Sequence, residues 1–244
     1  MTRYLIGIDD TDTKEKDQSP GTTALVRRLA EWLRIDGAAE AKGITRHQLF
    51  VNKRIAYTAH NSSVCLSFDA TDMEAVWETT RDFLVLGSHR RSNAGMCLSD
   101  WDSVGPDVMT WGHRAKTEIL TQEEALRVAA RTGVRCTGLK GSGGGVIGAL
   151  AAIGLHREGS DGRFVWLPGL LELHGRYTVA EIFARTAIDR VSSLAEVDLP
   201  IQELVEVAEW TRPVLRNGQA TLFVEETKHG WSVVDKDRVK DLSS

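Results

Sequence analysis

The run Val146-Ile147-Gly148-Ala149-Leu150-Ala151-Ala152-Ile153-Gly154-Leu155 has no polar face. A helix that is apolar all round is buried all round. This one is far short of the roughly 18–20 apolar residues that cross a bilayer. It therefore predicts a helix inside a globular domain. Gly148, Ala149, Ala151, Ala152 and Gly154 give it a small-residue contact face. The loop before it, Lys140-Gly141-Ser142-Gly143-Gly144-Gly145, is rich in glycine. Two roles fit that loop equally. Its successive backbone N–H groups can bind an anion, with Lys140 as an added charge. Its glycines also permit close packing of the helix. Gly143, Gly145 and Gly148 make a literal G-x-G-x-x-G, which is weak evidence without a strong preceding strand. Lys140 precedes the glycines, so the chain has no Walker A pattern there.

A second constraint lies at the start. Tyr4-Leu5-Ile6-Gly7-Ile8 reads as a buried strand and runs straight into Asp9-Asp10-Thr11-Asp12. Residues i and i+2 of an extended segment share a face, so Asp10 and Asp12 are expected to converge while Asp9 points elsewhere. Adjacent carboxylates repel unless a cation relieves them. Hard oxygen donors of this kind suit Mg²⁺, which takes one or two carboxylates and leaves its other positions to water and phosphate. A polar loop, Thr13 to Pro20, leads to Gly21-Thr22-Thr23, where Leu25, Leu29, Trp32 and Leu33 set a helical period. That helix start offers free N–H groups and a positive dipole end. Thr22 or Thr23 fits as its N-cap, or as a hydroxyl that accepts a phosphoryl group. A plain turn-capping role for the three aspartates is the alternative.

The remaining pattern alternates strands and helices. Residues 43–69 predict two strands, around Gln48-Leu49-Phe50-Val51 and Ser63 to Phe68. Asp72 to Leu86 predicts an amphipathic helix. Arg90 to Met96 reads as a loop, and a boundary is expected near Gly105. Thr121 to Thr132 carries a capping box, Thr121 with Glu124. Val134 to Leu139 and Phe164 to Leu167 read as strands. Val179 to Ala187 and Ile201 to Trp210 read as helices. Ala220 to Glu225 and Gly230 to Val234 read as two terminal strands. Two polar groups stand out besides the acidic turn. His89, Arg90 and Arg91, with Asn93 and Gly95 behind them, fit either a phosphate contact or a solvated loop. Arg46 and His47 form the other group, with Tyr57, His60 and Asn61. His113, His156, His174 and His229 have no partners at metal-ligand spacing and read as ordinary histidines.

Composition narrows the setting. The net charge of −4 over 244 residues gives no basic field for nucleic acid. The 3 cysteines, Cys65, Cys97 and Cys136, show no Cys-x-x-Cys. That spacing predicts neither a disulfide framework nor a zinc ribbon, and reduced thiols are expected. The N-terminal segment has no signal pattern, so a soluble cytoplasmic protein is the expectation.

The run Gly7-Ile8-Asp9-Asp10-Thr11-Asp12 followed by Gly21-Thr22-Thr23 resembles the start of the archaeal 2-agmatinylcytidine synthetases, which modify an isoleucine tRNA. Gly144-Gly145-Val146-Ile147-Gly148-Ala149-Leu150-Ala151-Ala152-Ile153-Gly154 resembles that family's central motif. Tyr57-Thr58-Ala59-His60-Asn61 and Ser92-Asn93-Ala94-Gly95 resemble two loops between them, in the same order. The resemblance covers roughly residues 3–170. It implies an α+β fold: an N-terminal kinase-like α/β domain followed by a ferredoxin-like domain, without the family's OB-fold and zinc ribbon. The corresponding segments are 1–105, 106–200, and a small helix-and-hairpin extension over 201–244. ATP and Mg²⁺ are the implied cofactors. Asp9, Asp10 and Asp12 would hold metal and phosphates, and Thr22 would be the phosphorylated threonine. Gly21, Thr23, Arg90, Arg91, Lys140, Gly143, Gly144 and Gly145 complete the expected nucleotide contacts. A nucleotide, a tRNA or a small amine is the expected further substrate. A non-catalytic nucleotide- or RNA-binding module is the alternative, as is an interaction protein with a purely structural glycine loop.

Overall fold

The computed structural model describes residues 1–13, 20–55, 57 and 60–244. Most of the expected polar loop between Thr13 and Pro20, and Thr58 and Ala59 of the Tyr57–Asn61 segment, lie outside these residues. The chain is a mixed α+β protein that forms two compact units, Met1–Glu158 and Gly159–Ser244.

The first unit runs β1 (Thr2–Asp9), α1 (Thr22–Ile35), β2 (Ala39–Gln48), β3 (Ser62–Ala70), α2 (Met73–Gly87), β4 (Gly95–Asp100), α3 (Pro106–Thr117), α4 (Gln122–Thr132), β5 (Arg135–Gly138) and α5 (Val146–Glu158). Its strands lie in the order β5-β4-β1-β3-β2, and every neighbouring pair is antiparallel. Side chains alternate across such a sheet. Leu5, Cys65 and Cys97 point to the face covered by α3, α4 and α5 and share one core with Val108, Trp111 and Leu150. Ile6, Ile8, Leu66 and Phe68 are also fully buried and alternate to the opposite face, where α1 packs against β1, β2 and β3.

Helix α5 is buried along almost its whole length, from Val146 to His156. It lies backbone to backbone on the sheet. A Cβ added at Gly7 of β1 would overlap the Ala149 carbonyl, and one at Gly154 would overlap the Val108 carbonyl of α3. The small residues of α5 thus permit contact on two sides, and Trp111 Nε1 closes the α3 side by donating to the Ile147 carbonyl at 3.1 Å. This contact also explains where the chain divides. The segments drawn from motifs break near residue 105, but α3 to α5 complete the core begun by β1, so the first unit continues to Glu158.

The second unit contains β6 (Arg163–Trp166), β7 (Gly175–Thr178), α6 (Val179–Arg185), β8 (Arg190–Ser193), β9 (Leu204–Val207), β10 (Val214–Arg216), β11 (Gln219–Thr227), β12 (Gly230–Val233) and α7 (Lys236–Leu242). The strand order is β6-β10-β11-β12-β9-β7, with β8 parallel to β11. Its core is separate and includes Phe164, Leu173, Ile182, Val205 and Leu222.

Four local expectations are corrected. The segment Ile201–Trp210 is not helical: Leu204 and Glu206 are exposed while Val205 and Val207 are buried, the two-residue period of a strand. Strand β2 ends at Gln48, where a strand centre was expected, because the polar stretch from Ala39 pairs with β3 around a bulge at Ala41/Gly43. Arg90 to Met96 is a loop only in part, since Gly95 opens the central strand β4. The expected free thiols at Cys97 and Cys136 are joined as a disulfide. The two residues face each other directly in the β4–β5 register, which places them 4.1 Å apart at Cα. Cys65 is the free, buried cysteine. The capping box at Thr121 and Glu124 forms as expected.

A polar knot sits inside the first unit. Thr45 Oγ1 is 2.8 Å from both His47 Nε2 and His156 Nδ1. A hydroxyl has one proton, so it donates to one ring and accepts from the other. Burial, reinforced by the neighbouring His47 and Arg3, pushes the His156 pKa down to about 3. An unfolded histidine binds its proton near pH 6.5, so the unfolded state gains protons first and stability falls as pH drops from there toward 3. The urea midpoint is therefore expected to fall between pH 7 and pH 5, and His156→Gln should flatten that slope. An unchanged slope in the variant would rule out His156 as its source.

Candidate functional site

The acidic turn is shaped by one backbone reversal. Strand β1 ends at Asp9, and Asp10 takes φ +55°, a left-handed conformation that short polar side chains tolerate. Asp9 Oδ1 accepts from the Asp10 N–H at 2.8 Å. The other Asp9 carboxylate oxygen lies where a Cβ on Gly148 would be, so only glycine at that position leaves room for it beside the first turn of α5. Thr11 is buried. Its hydroxyl donates to Thr22 Oγ1 at 3.0 Å, and its carbonyl accepts from the His89 N–H at 2.9 Å. The turn is thereby tied to the start of α1. The residue that caps α1 is Gly21, with no side-chain cap, rather than Thr22 or Thr23. Gly21 has Asp12 as its side-chain neighbour, since a Cβ there would sit 3.5 Å from Asp12 Oδ2.

Asn93 joins this turn to the glycine loop. Its side chain hydrogen-bonds Asp10. Its Oδ1 accepts from both the N–H and the hydroxyl of Ser142 at 3.1 Å, and its carbonyl accepts from the Gly145 N–H at 2.9 Å. Ser142 Oγ in turn accepts from the Gly144 N–H at 3.2 Å. The loop N–H groups are thus engaged by protein, which favours its packing role over a bare anion nest.

These elements border a cleft of about 650 Å³. Its lining includes Asp9, Asp10, Asp12, Gly21, Thr22 and Thr23, joined by Arg27 and Arg46. Apolar side chains also line it, among them Leu49, Ile55, Val64, Leu120 and Ile147. Gly144 and Gly145 also line it. The remaining expected contacts lie elsewhere. Lys140 Nζ donates to the Ser88 carbonyl at 2.8 Å, and Gly143 packs against Gly138. Arg90 and Arg91 are exposed and are not among the lining residues.

The charges in the cleft are mismatched. Burial, then the neighbouring Asp10 and Asp12, hold the Asp9 pKa well above the usual carboxylate range. Asp10 is also raised, by burial first, with the Asn93 hydrogen bond opposing. Arg46 is lowered by burial, which the attraction of Asp12 and Asp9 partly offsets. Its Nε donates to Ser62 Oγ at 2.9 Å. Among the described residues no group of three or more His, Cys, Asp or Glu side chains is arranged to hold a metal by itself. Asp9 is turned toward α5, which leaves Asp10 and Asp12 as the carboxylates toward the cleft. Two carboxylates with the rest of the coordination left to phosphate and water match the demands of Mg²⁺.

The sequence marks Arg46 and Asn93 only as members of separate polar groups, not as partners of the aspartates, and does not mark Arg27. A signal for Arg46 exists in the alternation of β2. Thr45 and His47 turn inward to His156, so Arg46 between them must leave by the other face.

No family model matches the chain. It is 29% identical over 157 residues to an uncharacterised protein of Methanocaldococcus jannaschii, MJ0921, which covers 64% of this chain and 50% of that one. Its fold is similar to that of TiaS, an agmatidine synthetase acting on an isoleucine tRNA, in two crystal structures. In the complex with that tRNA and ATP the TM-score is 0.55, at 24% identity over 63% of this chain and 36% of that one. For the apo enzyme it is 0.53, at 23% identity over 62% and 35%. A tRNA fluorescent labelling enzyme is similar at 0.55, with 25% identity over 62% and 36%. The chain thus spans about half the length of the curated relative and about a third of these solved neighbours. Among the described residues no helix is long and apolar enough to cross a membrane.

A carboxyl whose folded pKa is raised contributes stability below its unfolded pKa and loses it as pH rises through the folded one. The contribution of Asp9 is therefore smaller at pH 8 than in acid. Asp9→Asn is expected to raise the thermal midpoint there, by about 2–4 °C for each kcal/mol relieved. A lowered midpoint would show that the carboxylate stabilises the turn.

Proposed function

We propose that this chain is an ATP- and Mg²⁺-dependent phosphoryl-transfer or ligase-type enzyme of the TiaS kind, with its kinase-like chemistry in the first unit. The observation that carries this reading is the cleft itself, which brings Asp10 and Asp12 together with two arginines and the uncapped start of α1. Asp10 and Asp12 would hold Mg²⁺ together with ATP phosphates. Bound there, the ion supplies charge neutralisation on the phosphates and orientation for in-line transfer. Asp9, buried beneath them, fixes the turn through the Asp10 N–H. Gly21 and Thr23 offer backbone N–H groups to phosphate. Arg27 and Arg46 take the phosphate-neutralising role that the sequence suggested for Arg90, Arg91 and Lys140. The apolar side chains that line the cleft suit a nucleobase.

Thr22 is the candidate transient acceptor. Because Thr11 donates to Thr22 Oγ1, the proton of Thr22 itself is left for a neighbouring carboxylate. TiaS has been crystallised with its isoleucine tRNA and ATP, and with the tRNA, AMPCPP and agmatine. A tRNA or nucleotide acceptor with a small amine partner is the corresponding substrate class here.

With γ-labelled ATP and Mg²⁺, the protein is expected to release phosphate or to become labelled. Asp10→Asn should lower turnover by about 100-fold, in the range of lost electrostatic stabilisation. Thr22→Ala should abolish protein labelling while ATP binding persists. Absence of ATP binding, hydrolysis and label together would overturn the enzyme reading. ATP binding without turnover would replace it with a non-catalytic nucleotide-binding module.

A further inference from the structure

The acidic cleft contains a fixed cation whose position gives it two tasks. Arg46 of β2 is in register with Val64 of β3, and Val64 is in register with Ile8 of β1, one residue before Asp9. Aligned residues of neighbouring strands share a face, so Arg46 stands on the side of the sheet where α1 begins. Arg46 is only partly exposed, whereas Arg27 on α1 is exposed. Its Nε is anchored by Ser62 Oγ at 2.9 Å, a bond that does not use the two terminal nitrogens of the fork, and Arg46 borders the cleft. Asp12 and Asp9 act on it through space. Charges partly removed from solvent are screened less than exposed ones. Arg46 is therefore placed to offset Asp12 and Asp9 when no ligand is bound. A guanidinium fork also matches phosphate oxygens two at a time.

We propose that Arg46 is the resident counter-cation of the acidic cleft and also the residue that grips the terminal phosphate of the nucleotide, so that metal and nucleotide are taken up together rather than metal alone. This rests on the ATP reading of the cleft. With Arg46 in place, a free divalent ion meets a partly neutralised site. A metal–nucleotide complex brings its own anionic oxygens, to which Arg46 can turn, and the carboxylates are then released to the metal. One side chain thus disfavours one ligand and favours the other.

Calorimetric titration of the full chain with MgCl₂ alone, with MgATP and with MgADP tests this. For Arg46→Gln, affinity for Mg²⁺ alone is expected to rise about fivefold or more. Affinity for MgATP is expected to fall at least about tenfold, the equivalent of 1.4 kcal/mol. MgADP, which lacks the terminal phosphate, should change by less than about threefold. Arg46→Lys keeps the charge and loses the fork, so Mg²⁺ alone should bind as in wild type while MgATP stays weakened. Ser62→Ala, which frees the anchor, should likewise weaken MgATP and leave Mg²⁺ alone unchanged. These two variants decide the matter if Arg46→Gln does not fold by circular dichroism.

Unchanged Mg²⁺ affinity in Arg46→Gln would overturn the counter-cation role. Equal losses for MgATP and MgADP, or no loss, would overturn the terminal-phosphate role. If wild type binds MgATP and the variants match it, this inference alone falls. If wild type binds neither Mg²⁺ nor MgATP, the ATP reading falls and takes the inference with it.

Discussion

The backbone of α5 rests on the backbone of β1, and the first unit is arranged around that contact. A helix can approach a sheet this closely only where both surfaces lack side chains, which is what Gly7 and the small residues of α5 provide. The approach brings the N-terminal turn of α5 level with the end of β1, where the chain changes from Ile8 to Asp9. Gly148 then decides where the Asp9 carboxylate goes. Packing and chemistry are coupled here through single atoms. Adding a methyl group to α5 at that point would shift either the helix or the carboxylate.

The same coupling sets the electrostatic character of the cleft. Asp9 and Asp10 both sit above their ordinary titration range because burial, and then repulsion from neighbouring carboxylates, disfavours their charged forms. Unfavourable charge is thus concentrated at the end of a central strand. Perturbed carboxylates concentrated in one concave region are a mark of functional sites. The remote ion pairs of the unit, such as Arg34 with Glu31, lie in solvent and carry no such tension.

How much of this was legible in the sequence depends on whether the determining contacts were local. The burial of α5 followed from its own composition. The acidic turn and the α1 start are neighbours in the chain, so both could be found, and their joining through Thr11 and Thr22 completes the picture. Arg46 and Asn93 arrive from β2 and from the loop before β4, and only strand pairing brings them to the aspartates. Lys140 illustrates the reverse error. It is adjacent in sequence to the glycines that line the cleft, yet its ammonium turns back to the Ser88 carbonyl. Ile201–Trp210 was misread because its apolar residues fit both periods, and the β-branched Val205 and Val207 settle on the strand.

The bond between Cys97 and Cys136 has a topological consequence. It joins a central strand to the edge strand β5 and closes a covalent ring of chain that carries α3 and α4. A protease cut anywhere within that ring would leave the two pieces attached, and they would part in a denaturing gel only after thiol reduction. The helices that cover α5 are thus held to the sheet by connectivity as well as by packing.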